Sequence, residues 1–511
     1  MKNTLLATTC LAAIAACTDA KKETVATLPN IVIVYADDLG YGDAGAYGAT
    51  RLKTPNIDQL ANGGVRFTNG YSTSATCTPS RYALLTGVYP WRNEEAKILP
   101  GSAPLIIDTA QMTVPKMLKE KGYHTGVVGK WHLGLGSGIV DWNKKISPGP
   151  NEIGFDYAYI MAATQDRTPT VFLENGWVAG LEKEDPLVVD YENNFEGEPT
   201  GLANPELCKM KWHHGHNNSI HNGIPRIGFQ KGGKSALWVD EDMSDTFLGK
   251  AKQYIQENKG KPFFLYYALQ QPHVPRTPNQ RFVGTSGMGP RGDAIVEADW
   301  CVGELIKTLE KEGLLESTLI IFSSDNGPVL NDGYIDEAVE KLGDHKPAGP
   351  LRGGKYSLFE AGTRMPFITY WKGRIEPKVS DALISQVDLL SSLAKLAGSE
   401  IRVSDSQELL NVLLGSSQHG REEMILEATS RTALRKGEWV MIPPYSGPAT
   451  NQSVNIELGN APQYQLYNLK EDIGQQKNLA ESAPEKLQEM IKTYEGIRGT
   501  GTQKIEQLEL K

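Results

Sequence analysis

The feature that most limits how this chain can fold is a series of short apolar runs, each stopping at its carboxyl end in a small polar cluster. Asn30-Ile31-Val32-Ile33-Val34-Tyr35-Ala36 is continuous and β-branched, and Asp37-Asp38 follow it directly. A run of this kind predicts a strand buried on both faces of a parallel sheet. His124 to Val128 leads into Gly129-Lys130-Trp131-His132, Lys261 to Leu269 into Gln270-Gln271-Pro272-His273, and Ser317 to Ser324 into Asp325-Asn326-Gly327. Amphipathic helical patterns, Thr113 to Leu118 and Asp293 to Glu312, lie between the runs. Strands alternating with helices predict an α/β domain. In such sheets ligands bind in the crevice outside the carboxyl ends of the strands, so clusters far apart in sequence can converge on one site.

The clusters carry chemistry. Two adjacent carboxylates at the end of a buried strand repel each other and are costly unless a cation neutralises them. If the chain stays extended past Gly129, Lys130 and His132 share a face, since residues two apart do so in a strand. His273 sits between Pro272 and Pro275, which constrain its backbone. Asp325-Asn326-Gly327 is also an ordinary turn sequence and says little alone. Near the N-terminal third, Cys77-Thr78-Pro79-Ser80-Arg81 precedes a short apolar pattern that stops at Gly87. Pro79 suits the first turn of a helix and Gly87 its end. Cys77 then lies at a helix N-terminus, where an anion is favoured, and Arg81 falls on the same face one turn on. A buried thiol with an unrelated surface arginine fits those five residues equally well. The formal net charge of −9 lacks the basic excess of a nucleic-acid binder. An anionic substrate therefore needs a local cationic pocket.

Three stretches taken together resemble the type I sulfatases, whose active cysteine lies in C-x-P-S-R followed by x-x-x-L-T-G. Cys77 to Gly87 matches that pattern in full, Gly129-Lys130-Trp131-His132-Leu133-Gly134 matches a second motif, and Leu351 to Arg364 matches the segment carrying a second active-site lysine, Lys355. The resemblance runs from about Pro29 toward the C-terminus. It implies an alkaline-phosphatase-like fold: a large mixed, mostly parallel sheet sandwiched by helices, with a small C-terminal α+β subdomain. It implies that a maturation enzyme oxidises Cys77 to formylglycine, whose hydrate attacks sulfur. It also implies that Asp37, Asp38, Asp325 and Asn326, with an oxygen of the converted Cys77, hold a calcium ion. Arg81, Lys130 and Lys355 would neutralise the sulfate ester. His273, with Lys355, would protonate the departing alcohol, and His132 would remove the proton that lets sulfate leave. The substrate expected is a sulfated galactose or N-acetylgalactosamine in a polysaccharide or glycosaminoglycan fragment. Two rivals stand beside this: a phosphatase or phosphodiesterase of the same superfamily, and a non-catalytic glycan-binding lipoprotein.

The remainder is organisation. Residues 1–16 read as a signal peptide, with a positive start and an apolar run too short to span a bilayer. Ile14-Ala15-Ala16-Cys17 resembles a bacterial lipobox, implying a lipid anchor at Cys17, a polar tether over 17–28, and an exported lipoprotein of the periplasm or cell surface. A catalytic domain is expected over 29–415 and an antiparallel-sheet subdomain over 416–511. Residues from about 140 to 245 read as loops around short strands, where specificity is expected to reside. His213, His214, His216 and His221 fall there with no zinc-like spacing, and Asp166-Arg167 reads as a loop charge pair. Arg167 and His216 are the candidates for contact with a sugar. Of the five cysteines, Cys208 and Cys301 are left, with nothing to show whether they pair.

Overall fold

A computed structural model describes residues 28–500. The expected signal peptide, Cys17 and all of the tether except Leu28 lie outside the described residues. The core is a ten-stranded sheet in the order Lys378–Ser380, Val65–Phe67, Phe367–Tyr370, Thr318–Ser324, Asn30–Ala36, Phe263–Ala268, His124–Lys130, Tyr157–Met161, Phe172–Glu174 and Trp177–Val178. The five strands from Thr318–Ser324 to Tyr157–Met161 run parallel. Phe367–Tyr370 is reversed against its neighbours, which makes the sheet mixed.

Asn30–Ala36 occupies the middle, and all seven of its residues are buried. Ile31, Ile33 and Tyr35 face one core and Val32 and Val34 the other, which is why the run shows no polar alternation. Leu84, Leu85, Met117, Leu118, Leu389 and Leu390 cover the first face from the helices Cys77–Thr86, Val114–Glu120 and Leu389–Leu396. Pro55–Gly63, Met243–Asn258 and Gly289–Lys311 cover the other. The last begins four residues before the expected Asp293, with Pro290 inside its first turn, where a missing N–H costs nothing. Thr54 precedes Pro55–Gly63 without capping it. Its hydroxyl instead accepts from the Gly45 N–H at 2.8 Å and donates to Asp58 at 3.1 Å.

Register brings the strand ends level. Ala36 pairs with Ser324, Tyr35 with Ala268, and Ala268 with Gly129. Asp37-Asp38, Asp325-Asn326, Lys130 and the Gln270–His273 turn therefore leave the sheet along one edge. Of the region expected to be loops around short strands, Tyr157–Met161, Phe172–Glu174 and Trp177–Val178 join the large sheet, and the rest forms short pairs, Val188–Asp190 with Phe229–Lys231 and Ile220–His221 with Ile224–Pro225. Lys211–Trp212 pairs with Tyr334–Ile335 and brings this insert over the same edge.

A separate antiparallel sheet, Glu423–Ala428, Arg431–Lys436, Trp439–Ile442 and Gln465–Asn468, carries the helix Pro484–Arg498. Its outer strand is tied to the segment that leads into the Cys77–Thr86 helix. The Ala75 N–H donates to Glu427 O at 2.8 Å, and the Glu427 N–H to Thr73 O at 3.0 Å. Cys77, Cys208 and Cys301 are free thiols, with Cys301 buried in the Gly289–Lys311 helix. Among the described residues, no helix is long and apolar enough to cross a membrane.

Candidate active site

Three carboxylates and a thiol meet at the level edge of the sheet. Cys77 opens the helix Cys77–Thr86, and its Sγ stands 3.7 Å from Asp37 Oδ1. The helix starts there because Thr76 is extended, and it stops at Gly87, whose φ of 66° favours glycine. The expected pull of the helix N-terminus on an anion does not prevail. Burial pushes the Cys77 thiol up, and Lys130 only partly opposes it. A neutral, buried thiol is a poor nucleophile as it stands.

Asp37 and Asp38 are separated rather than left face to face. Asp38 takes a φ of 63°, which turns the chain. Lys130 Nζ reaches Asp37 Oδ2 at 2.6 Å, and Lys355 Nζ reaches Asp38 Oδ2 at 2.9 Å. Arg81 donates to Asp325 Oδ2 through Nε at 3.1 Å and Nη2 at 2.7 Å. Burial and then Asp325 push the Asp37 carboxyl well up, against Lys130 and Arg81. Burial works in the same sense on Asp325, but Arg81 and Lys130 outweigh it and hold that carboxyl below the usual range.

The cluster has room for one more positive charge. Single ligand atoms of Asp37, Asp38, Cys77 and Asp325 all lie within 4.8 Å of one another. Asn326 donates its Nδ2 to Asp38 Oδ1 at 2.7 Å, which leaves its Oδ1 buried without a hydrogen-bond partner. An orphaned amide oxygen beside three carboxylates is the donor set of a hard divalent cation. The residues present fit such an ion.

Above this floor opens a pocket lined by Cys77, His132, His273 and Lys355, and also by Arg167 and His216. The other two expected cations sit elsewhere. Arg81 and Lys130 are wholly buried behind Asp37 and Asp325, so they act on the pocket through those carboxylates. His132 corrects the face-sharing argument. The strand ends at Lys130, and His132 has a φ of 55°, so a left-handed turn, not the pleat, delivers its ring. Its Nε2 lies 3.0 Å from Leu99 O, and its Nδ1 is buried without a partner. A carbonyl accepts only, so Nε2 carries the proton and Nδ1 the lone pair. In His273, Nδ1 lies 2.7 Å from Val274 O, so Nδ1 is protonated and Nε2 is free to accept. Burial, and then Lys130 for His132 or Lys355 for His273, hold both rings well below the usual imidazole range.

His216 and Asp166-Arg167 form one buried unit. His216 Nε2 lies 2.9 Å from Asp166 Oδ2, Arg167 Nη1 lies 3.0 Å from Asp166 Oδ1, and the Arg167 Nε–H has no partner. His213 and His214 stay in the insert's loop, and His221 bonds Thr170 at 2.9 Å. None of the four insert histidines joins a metal-type cluster among the described residues. Two lining residues, Asp332 and Tyr356, were not among the expected site residues. Asp332 sits in a glycine-containing loop, and Tyr356 follows the lysine that drew attention. A larger groove of about 670 Å³ beside Lys395 and Arg402 holds none of this chemistry.

A family model described as Sulfatase matches residues 29–399. An N-acetylgalactosamine-6-O-sulfatase of Bacteroides thetaiotaomicron is 51% identical over 475 residues, covering 92% of this chain and 93% of that protein. Arylsulfatase A of Homo sapiens is 33% identical over 494 residues, 91% of this chain and 86% of its own. A solved structure from work on the metabolism of multiple glycosaminoglycans by B. thetaiotaomicron superposes with a TM-score of 0.91 at 51% identity. That match covers 92% of this chain and 99% of the other.

Proposed function

The chain belongs to the sulfatase family, within the alkaline phosphatase superfamily, and we propose that it removes the 6-O-sulfate of N-acetylgalactosamine in glycosaminoglycan-type fragments. The observation that carries this reading is the convergence of Cys77 with Asp37, Asp38 and Asp325 beneath a pocket lined by Lys355, His132 and His273. The substrate follows the relative that is 51% identical over nearly the whole chain.

In this reading Cys77 is oxidised to formylglycine by a maturation enzyme, and Asp37, Asp38, Asp325 and Asn326 hold calcium. The aldehyde, once hydrated, supplies the nucleophilic hydroxyl that the neutral thiol lacks. Calcium supplies positive charge at the floor, where the sulfate oxygens gain negative charge. Of the three cations expected to neutralise the ester, Lys355 is the one that lines the pocket, and it faces the ester directly. His132 offers Nδ1 as a general base, held in that tautomer by Leu99 O. His273 offers Nε2 next to Lys355. Held neutral in the free protein by burial and then by Lys355, it takes up a proton when the anionic ester favours the charged ring, and it passes that proton to the leaving alcohol. Arg167, with its free Nε–H, and His216 contact the sugar.

Incubation with N-acetylgalactosamine 6-sulfate is expected to release inorganic sulfate, and Cys77→Ser made in a host that converts only cysteine is expected to release none. Peptide mass spectrometry should find the aldehyde at residue 77 in active protein. Full activity with unconverted cysteine, or phosphate release from monoesters in place of sulfate release, would reject the reading. The N-terminal lipobox supports an exported lipoprotein anchored through Cys17. Cys17→Ala should move the protein from the membrane fraction to the soluble one, and an unchanged distribution would reject the anchor.

A further inference from the structure

The pocket is lined by Lys355 and Arg167, yet two carboxylates, Asp166 and Asp332, line it as well. An acid lining an anion site works against the ligand's charge and calls for a reason. Asp166 is fully engaged, by Thr164, Arg167 and His216. Asp332 is not. Its Oδ2 accepts from Lys355 Nζ at 2.8 Å and its Oδ1 from Tyr356 Oη at 3.2 Å. A carboxylate has about four acceptor sites, so one lone pair on each oxygen remains. One Asp332 oxygen also lies within 4.8 Å of ligand atoms of both Asp38 and His273, which places the carboxylate beside the histidine proposed to serve the leaving alcohol.

The carboxylate is held from behind. Arg276 donates to Val329 O at 2.9 Å and to Leu330 O at 2.8 Å, and Gly333 O accepts from the His213 N–H at 2.9 Å. Asp332 is thus fixed between Lys355 and the histidine loop of the insert, inside the pocket.

We propose that Asp332 is a specificity-determining residue, which accepts the sugar hydroxyl next to the sulfate ester and repels a second sulfate at that position. The inference rests on the sugar-sulfate reading above and deepens it. A fixed, partly satisfied carboxylate binds a hydroxyl well, because the O–H···O⁻ bond is charge-assisted. The same carboxylate faced with a sulfate instead loses that bond and meets a like charge at short range. For a 6-sulfate the neighbouring group is the 4-hydroxyl. The enzyme would then take N-acetylgalactosamine 6-sulfate and discriminate against the 4,6-disulfate, so an activity that clears the 4-sulfate must act before it.

The test compares kcat/KM on the 6-sulfate and the 4,6-disulfate for the wild-type protein and Asp332→Asn. Asparagine keeps the size and the acceptor for Lys355 but removes the charge. Wild-type protein should favour the monosulfate, and Asp332→Asn should narrow that preference at least about tenfold. Calorimetric affinities for the same two sugars give the ratio even where turnover is lost. A preference unchanged by Asp332→Asn in both measurements would overturn the role of Asp332 and leave the sulfatase reading intact. No turnover of the 6-sulfate by wild-type protein would overturn both.

Discussion

Asp325→Ala is expected to abolish sulfate release and, separately, to weaken the fold. Arg81 is fully buried, and its two bonds to Asp325 are the charge partner that justifies its position. Removing one member of a buried ion pair leaves an uncompensated charge and costs on the order of 3–5 kcal/mol. Asp325 is also the proposed calcium ligand, so the variant should lose any rise of the unfolding midpoint with added calcium that the wild-type protein shows. Midpoints in urea with and without calcium check both effects. A variant within about 1 kcal/mol of the wild-type protein would mean that solvent or a neighbour readily replaces the lost carboxylate, and would reject a dry pair left uncompensated. Asp37 stands nearest to taking that place, with its Oδ1 3.7 Å from Arg81 Nη2.

His273→Ala is expected to divide substrates by their leaving groups. A sugar alcohol needs a full proton to depart, whereas an activated phenol needs almost none. The variant should lose on the order of 10²–10⁴-fold in kcat on N-acetylgalactosamine 6-sulfate and far less on an activated aryl sulfate. His132→Ala, which removes a base and not the donor to the alcohol, should slow both substrates alike. Parallel turnover assays decide it. Equal losses on the two substrates in His273→Ala would transfer the donor role to Lys355, whose Nζ is held between Asp38 and Asp332.

The strands of the catalytic sheet were legible because burial on both faces leaves an unmistakable apolar run, as in Asn30–Ala36. Their polar ends were legible for the same reason, since Asp37-Asp38 interrupts that run abruptly. What the sequence could not carry was direction. Periodicity places Lys130 and His132 on one face, but the φ of 55° at His132 depends on contacts with Leu99 and Ala162 made from elsewhere in the chain. Charge type likewise did not tell which cations line the pocket: of the three expected ones, Arg81 and Lys130 turn to carboxylates, and Lys355 lines it. Asp332 was invisible because a lone aspartate in a loop looks like any solvated one until the loop is braced by Arg276.

The pairing of Ala75 with Glu427 has a consequence in time. A chain grows from its amino end, and domains tend to fold as their residues appear. Until the strand Glu423–Ala428 has been made, the backbone at Thr73 and Ala75 has no partner on that side. The segment leading into Cys77 therefore cannot complete its backbone pairing until late in synthesis, although it is among the first parts to be made. In the finished molecule Cys77 is only 2% exposed, too little for another protein's active site to enclose it. On the formylglycine reading, an enzyme that oxidises this thiol would have to reach it before that pairing closes.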